Sequence, residues 1–344
     1  MEKSITRFSL AQLTQLTQHR SGEVKFGEKV QVVPDGMPIE EFLETSDALF
    51  VLIGIPEDIG VRANFGRGGT HVAWQNSLKS LVNMQHNKFC KAQNILILGE
   101  VNVVDAMTEA ETLDPTNKEN RKRMFELVEQ IDKEVSHVIR KIVQHKKTPI
   151  VVGGGHNNAY GIIKGVALAK GKAINTINFD AHTDFRIMEG RHSGNGFNYA
   201  FDEGFLKKYY IFGLHENYVS KSVFKTIKEL KESVKYATYE EIAIKRTKPF
   251  DNELGVALQF ISDAPFGIEI DLDAIENTPS SAMTPSGFSA ENARQFVYHF
   301  AQNPQATYLH ICEGNPIVTD DKNPQLVGKL VAYLLTDFIK AKGV

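Results

Sequence analysis

A chain of 344 residues, 42% hydrophobic and 24% charged, has the composition of an ordinary folded protein, which excludes collagen-like and disordered classes. Lys+Arg (39) nearly balance Asp+Glu (42), leaving a formal net charge of -3 with no long run of one sign. Capture of nucleic acid or acidic lipid is therefore not expected, and a small molecule is the expected partner. No stretch approaches the ~20 apolar residues of a membrane span, and Met1 to Thr6 carries acid and base early, so the expectation is a cytoplasmic protein without membrane association.

Residues 1–46 read as an N-terminal extension of a single domain covering 1–344. The first apolar run, Ala48–Ile53, reads as a strand, and the glycine-rich segment Gly60–Gly69 follows it. That segment lacks the spacing of a phosphate-binding loop, so nucleotide binding is not expected. A second strand is predicted at Ile95–Leu98 and a polar loop over 106–120. Val128, Ile131, Val135, Val138, Ile139 and Ile142 then step by three and four residues, which predicts an amphipathic helix. Further short apolar runs at Ile150–Val152, Ile174–Phe179, Tyr209–Phe212, Phe266–Ile270 and Tyr308–Ile311 predict strands, and Val327, Leu330, Val331, Leu334, Leu335 and Phe338 predict a C-terminal helix. Strands alternating with helices predict an α/β fold with a central, mostly parallel sheet, and function then gathers at the carboxyl ends of its strands.

Three predicted strands run directly into His or Asp. One ends in Gly153-Gly154-Gly155-His156, the next in Asp180-Ala181-His182-Thr183-Asp184, and a later one in Asp271-Leu272-Asp273. Residues two apart in extended chain share a face, so each group presents its acids together. Four carboxylates packed at one sheet edge repel one another, and two divalent cations would compensate them. Cys90 and Cys312 are the only cysteines and form no CxxC pair, so no disulfide framework or thiolate site is expected and a metal must sit on His and carboxylate. Such donors suit manganese, and zinc and magnesium accept them too.

These motifs resemble the metal motifs GGxH, DAHxD and DxD of the ureohydrolase family, which includes arginase, agmatinase and formimidoylglutamase, and the resemblance spans residues 47 to about 340. It implies an arginase-like three-layer α/β/α fold and two Mn2+ per subunit, one on His156, Asp180, Asp184 and Asp271, the other on Asp180, His182, Asp271 and Asp273. It further implies that Glu313, in Glu313-Gly314-Asn315-Pro316, binds the cationic end of an amidine or guanidine substrate, that Asp184 moves a proton to the leaving nitrogen, and that a homo-oligomer is common.

Gly155 in place of Asp, Ser193-Gly194 in place of His-Gly with His192 one residue off register, and Glu269 in place of Ser all depart from arginase. Arg186 and the segment Gly60–Gly69 are similar to the formimidoylglutamase branch. The expected reaction is therefore conversion of N-formimidoyl-L-glutamate to L-glutamate and formamide, as in histidine degradation, with a guanidino-acid hydrolase releasing urea as the alternative. A single-zinc deacetylase fits less well, having no need of Asp184 and Asp273 as ligands. A substrate with two carboxylates calls for cationic or amide groups, and Arg67, Arg186, Arg191 and Asn195 are the candidates by position. His71, His137, His145, His215, His299 and His310 lack a partnered spacing and read as packing or surface residues.

Overall fold

The computed structural model describes residues 1–318 and 325–343. The N-terminal segment forms β1 (Ile5–Arg7), α1 (Leu10–Leu16), β2 (Gln31–Val32) and α2 (Ile39–Thr45). There follow β3 (Phe50–Gly54), α3 (Ile59–Ala63), α4 (Ala73–Val82), β4 (Ile95–Val101), α5 (Val104–Glu111), α6 (Lys118–Gln144), β5 (Thr148–Val152), α7 (Asn158–Lys170) and β6 (Ile174–Phe179). The second half contains α8 (Gly196–Asp202), β7 (Leu206–Leu214), α9 (Lys221–Glu229), β8 (Val234–Thr238), α10 (Phe250–Ile261), β9 (Phe266–Asp271), α11 (Ala290–Ala301), β10 (Ala306–Cys312) and α12 (Gln325–Ala341).

All these strands lie in one sheet, in the order β1-β4-β3-β5-β10-β9-β6-β7-β8. Every neighbouring pair is parallel except β1 with β4, and β2 also runs beside β4. Strand side chains alternate between two faces, and each face has its own apolar layer. Leu52, Ile150, Ile268 and Ile311 pack under α4, α10, α11 and α12 through Leu78, Ala257, Phe296 and Leu335. On the opposite face Val51, Val151 and Ile211 pack under α6, α7, α8 and α9 through Val135, Ile162, Phe197 and Ile227. The result is the three-layer α/β/α arrangement with a mostly parallel sheet.

The seven strands read from apolar runs all form. The three that were not expected, β1, β2 and β8, lie along sheet edges, where one-sided burial leaves a sequence such as Val234-Lys235-Tyr236-Ala237-Thr238 without a continuous apolar run. Residues 1–46 place β1 and β2 along the outer edge of β4. The expected polar loop over 106–120 is instead mostly helical: α5 ends at Glu111 and α6 begins at Lys118, after the Asn117 side chain accepts from the Glu119 and Asn120 amides. Only Ala110 of α5 is buried, too little for an apolar period to show. No helix among the described residues is long and apolar enough to cross a membrane.

Helix α7 lies so close to α6 that a Cβ on Gly165 would stand 2.7 Å from the Ser136 carbonyl oxygen and 2.8 Å from Ile139 Cβ. Gly165→Val should therefore lower unfolding free energy by about 1–3 kcal/mol through overpacking, as read from denaturant melts. A wild-type midpoint would show that the two helices separate freely.

Candidate metal centre

The sheet order brings four consecutive parallel strands, β5, β10, β9 and β6, side by side. Their carboxyl ends carry, in that order, His156, Glu313, the Asp271–Asp273 pair and the Asp180–Asp184 segment. Leaving β5, the chain turns through Gly153 and Gly154 with φ of 91° and 79°, a region open to glycine. At Gly155 any Cβ would lie 2.6 Å from both Asn157 Oδ1 and Val61 Cγ2, so an aspartate there requires both side chains to shift.

Glu57, fully buried, ties this turn down. Its carboxylate accepts from the Gly155 amide (3.0 Å), the Asn158 side-chain amide (2.6 Å) and the Ile59 amide (2.8 Å). Burial pushes its carboxyl above the ordinary range in spite of these donors.

His156 directs Nδ1 at three carboxylates: Asp184 Oδ2 at 2.8 Å, and Asp180 Oδ2 and Asp271 Oδ2 each at 3.3 Å. One ligand atom from each of these four residues lies within 4.8 Å of the others, and His182, Asp271 and Asp273 form a second such group. His182 Nδ1 stands 3.5 Å from Asp180 Oδ1 and 4.0 Å from Asp273 Oδ2. All six residues named from the three motifs thus meet in one cluster, buried apart from His182.

The remaining lone pairs are organised. Asp180 accepts from the Asn178 side chain (2.8 Å) and the His182 amide (2.7 Å), Asp271 from the Asp273 amide (2.7 Å), and Asp273 from the Ala282 amide (2.9 Å). Asp184 and Glu313 are held at φ of 43° and 62°, where residues with a side chain incur on the order of 1–3 kcal/mol of strain.

Charge is the unsolved quantity in this cluster. Burial, with Asp273 and Asp180 as neighbours, pushes the Asp271 carboxyl well above the usual range, and burial raises Asp184 and Asp273 as well. Asp180 goes the other way, because hydrogen bonds from His156 and His182 outweigh its burial. Four carboxylates against two imidazoles form a donor set that fits two hard divalent cations.

Glu313 closes β10 beside this cluster. Its Oε1 accepts the His156 amide at 2.7 Å, whereas Oε2 is buried and has no partner. Burial and the nearby Asp273 raise its carboxyl to about 8. It lines, with Asp184, Asp271 and Asp273, a cleft of about 600 Å³ whose outer wall includes Asn64, Arg186, Ser193, Tyr218, Ser220 and Ser222.

The residues expected to meet substrate carboxylates separate here. Arg186 is on the cleft wall, exposed, donating to Asn64 Oδ1 at 2.5 Å and to Glu189 at 3.3 Å. Arg67 is exposed and does not line the cleft. Arg191 is 1% exposed, with its guanidinium on Asp132, Asn195 Oδ1 and the Asn157 carbonyl and its flat face against Tyr160 and Tyr199. Asn195 is likewise buried, its amide bound to the Ile187 and Gly190 carbonyls. Both hold the 186–195 loop and have no free group for a ligand. His192 is also buried, and it caps the Gly194 amide.

His310, read as a packing or surface histidine, stands behind the site: it is buried and bonds Glu269 Oε2 at 2.6 Å, and that same oxygen lies 3.5 Å from His156 Nε2. Glu57, Asn64 and Tyr218, whose ring stacks on His182 at 5.1 Å, were also not foreseen. Alternation along β10 (Tyr308, His310, Cys312) puts His310 beside the strand end and was the one available signal.

A model described as the arginase family matches residues 48–336. This chain belongs to the arginase family. Curated relatives include the formimidoylglutamase of Geobacillus sp. (strain WCH70), 26% identical over 304 residues, covering 87% of this chain and 86% of that one. That of Geobacillus kaustophilus (strain HTA426) is 25% identical over 321 residues, covering 90% and 88%. Among solved structures, formimidoylglutamase from Bacillus subtilis superposes with a TM-score of 0.75 at 18% identity, covering 95% of this chain and 94% of that one. A Trypanosoma cruzi formiminoglutamase with Mn2+2 gives 0.71 at 18%, covering 93% and 98%. The arginase-like fold is thereby shown, and as an arginase-family protein the chain is a metal-dependent hydrolase.

A pH dependence follows for this family member. Burial weakens the acidity of three carboxyls in the metal-free cluster, while a cation requires their charged forms, so binding should release protons. Manganese affinity should rise with pH, and calorimetry in buffers of different ionisation enthalpy should detect proton release on binding. An affinity independent of pH would contradict the assignment.

Proposed function

We propose that the chain hydrolyses the amidine C–N bond of N-formimidoyl-L-glutamate, giving L-glutamate and formamide, at a binuclear manganese site. The observation that carries this reading is the unpartnered, buried Oε2 of Glu313 next to the six-residue cluster. The Ser281 hydroxyl nearby is bonded to Asp273, so this acceptor on the wall of a cleft keeps an open position, and a cationic amidine nitrogen satisfies it. His156, Asp180, Asp184 and Asp271 would hold one ion, and Asp180, His182, Asp271 and Asp273 the other. When bound, the ions supply the nucleophile by lowering the pKa of a water to near neutrality.

The chain's own residues do the remainder. Glu313, immobilised through Oε1 by the His156 amide, takes the amidine nitrogen on Oε2 and orients its carbon toward the Asp184 and Asp271 side of the cleft. Asp184, on the same wall, delivers a proton to the departing glutamate nitrogen. Water thus adds its oxygen to the formimidoyl carbon, the C–N bond to glutamate breaks, and the proton ends on the amine. Arg186 meets a substrate carboxylate, with Asn64 and the serines of the outer wall as further donors.

A guanidino acid presents the same cation to Glu313, and release of urea is the second reading. Manganese-loaded protein assayed with formimidoylglutamate, arginine, agmatine and guanidinobutyrate, with formamide and urea scored separately, distinguishes them. Formamide from the first substrate alone is expected, and urea from any other reverses the order. Glu313→Gln should lower kcat by about 10²–10³, the loss typical of one charge-stabilising group. Arg186→Ala should raise KM for formimidoylglutamate by about 10–100-fold with a smaller change in kcat, because a hydrogen bond to a charged group contributes about 1.5–3 kcal/mol.

A further inference from the structure

Behind the cluster, on the side away from the cleft, lies a second carboxylate that the proposed reaction does not use. Glu269 is fully buried on β9, two residues before Asp271 and opposite His310 on β10. Its Oε1 accepts the Tyr308 hydroxyl at 2.6 Å and its Oε2 meets His310 Nδ1 at 2.6 Å. Tyr308 reaches it by lying across Gly267, where a Cβ would stand 2.0 Å from the tyrosine ring. Three elements of sequence, Gly267, Tyr308 and His310, thus converge on placing one charge.

The atom facing that charge is His156 Nε2, fully buried and 3.5 Å from Glu269 Oε2, with no shorter hydrogen bond made to it, while the Cys312 thiol also adjoins the ring. Nδ1 of the same ring faces Asp180, Asp184 and Asp271. An imidazole that ligates through Nδ1 must carry its proton on Nε2, and a buried N–H without an acceptor is costly. Phe197 packs edge-on against the ring at 5.0 Å and limits its rotation.

We infer that Glu269, held by Tyr308 and His310, is a positioning residue that fixes the His156 tautomer and orientation and thereby sets the affinity of the ion on His156. The inference rests on the two-metal reading of the cluster. Glu269 acts on the ion through the ring: it accepts the Nε2 proton, raises the basicity of Nδ1, and touches no substrate.

Stepwise manganese titration, following free Mn2+ by electron paramagnetic resonance, tests this in wild type, Glu269→Gln and Tyr308→Phe, together with the melting temperature of each metal-free protein. Wild type should bind two ions per chain, and Glu269→Gln should weaken one of them by about 10–100-fold while sparing the other. Tyr308→Phe keeps the packing and removes one donor, so it should weaken the same ion by a smaller factor, and it decides the matter if Glu269→Gln does not fold. Two ions bound as tightly in both variants as in wild type overturn the inference alone. Equal weakening of both ions with a lower metal-free melting temperature marks a packing role and also overturns it. Fewer than one ion in wild type fails the metal reading itself.

Discussion

Mutual repulsion among Asp180, Asp184, Asp271 and Asp273 is the constraint on which the rest of this molecule depends. These acids are nearly fully buried, and two imidazoles do not neutralise them. In a low-dielectric interior such an arrangement persists only if cations or protons compensate it. The fold keeps the acids together regardless, because each sits at the end of a strand whose hydrogen bonds and apolar layers determine where it stops. The costs appear as left-handed backbone at Asp184 and Glu313 and as carboxyls whose acidity burial weakens.

Two buried carboxylates outside the cluster steady it from different sides. Glu57 gathers the amides of the glycine turn and of the start of α3, and so determines where the chain emerges at His156. Glu269 stands at the opposite end of the His156 ring. Tyr308 and His310 bond Glu269, and Asn157 and Asn158 bond Glu57, and all four are as buried as the carboxylates they hold. Chemistry at the strand ends is thus rigid, and variation is left to the loops.

The outer cleft has a different character. Arg186, Asn64 and Ser193 form a chain of hydrogen bonds, while Tyr218 and Ser220 come from the segment between β7 and α9 and Ser222 from the first turn of α9. Loops mounted on a rigid scaffold are where substrate choice resides, so membership of the arginase family describes the reaction more closely than the substrate.

By itself the sequence determined the α/β architecture and the six-residue cluster. Both are written locally: apolar runs buried on two faces mark the strands, and the charged residues that follow mark their ends. The sequence also held Glu313, because it closes such a run. What only the tertiary structure decided is which of these ends are neighbours. The order β5-β10-β9-β6 is not chain order, and it is what sets Glu313 between His156 and the Asp271–Asp273 pair. Partnership was equally unreadable: Arg191 and Arg186 are five residues apart, yet one is consumed by Asp132 and the other faces the cleft. His310 and Glu269 look isolated along the chain and meet across adjacent strands. Burial and pairing are properties of residues distant in sequence, so local pattern marked the chemistry, and long-range packing decided which side chains were free to take part in it.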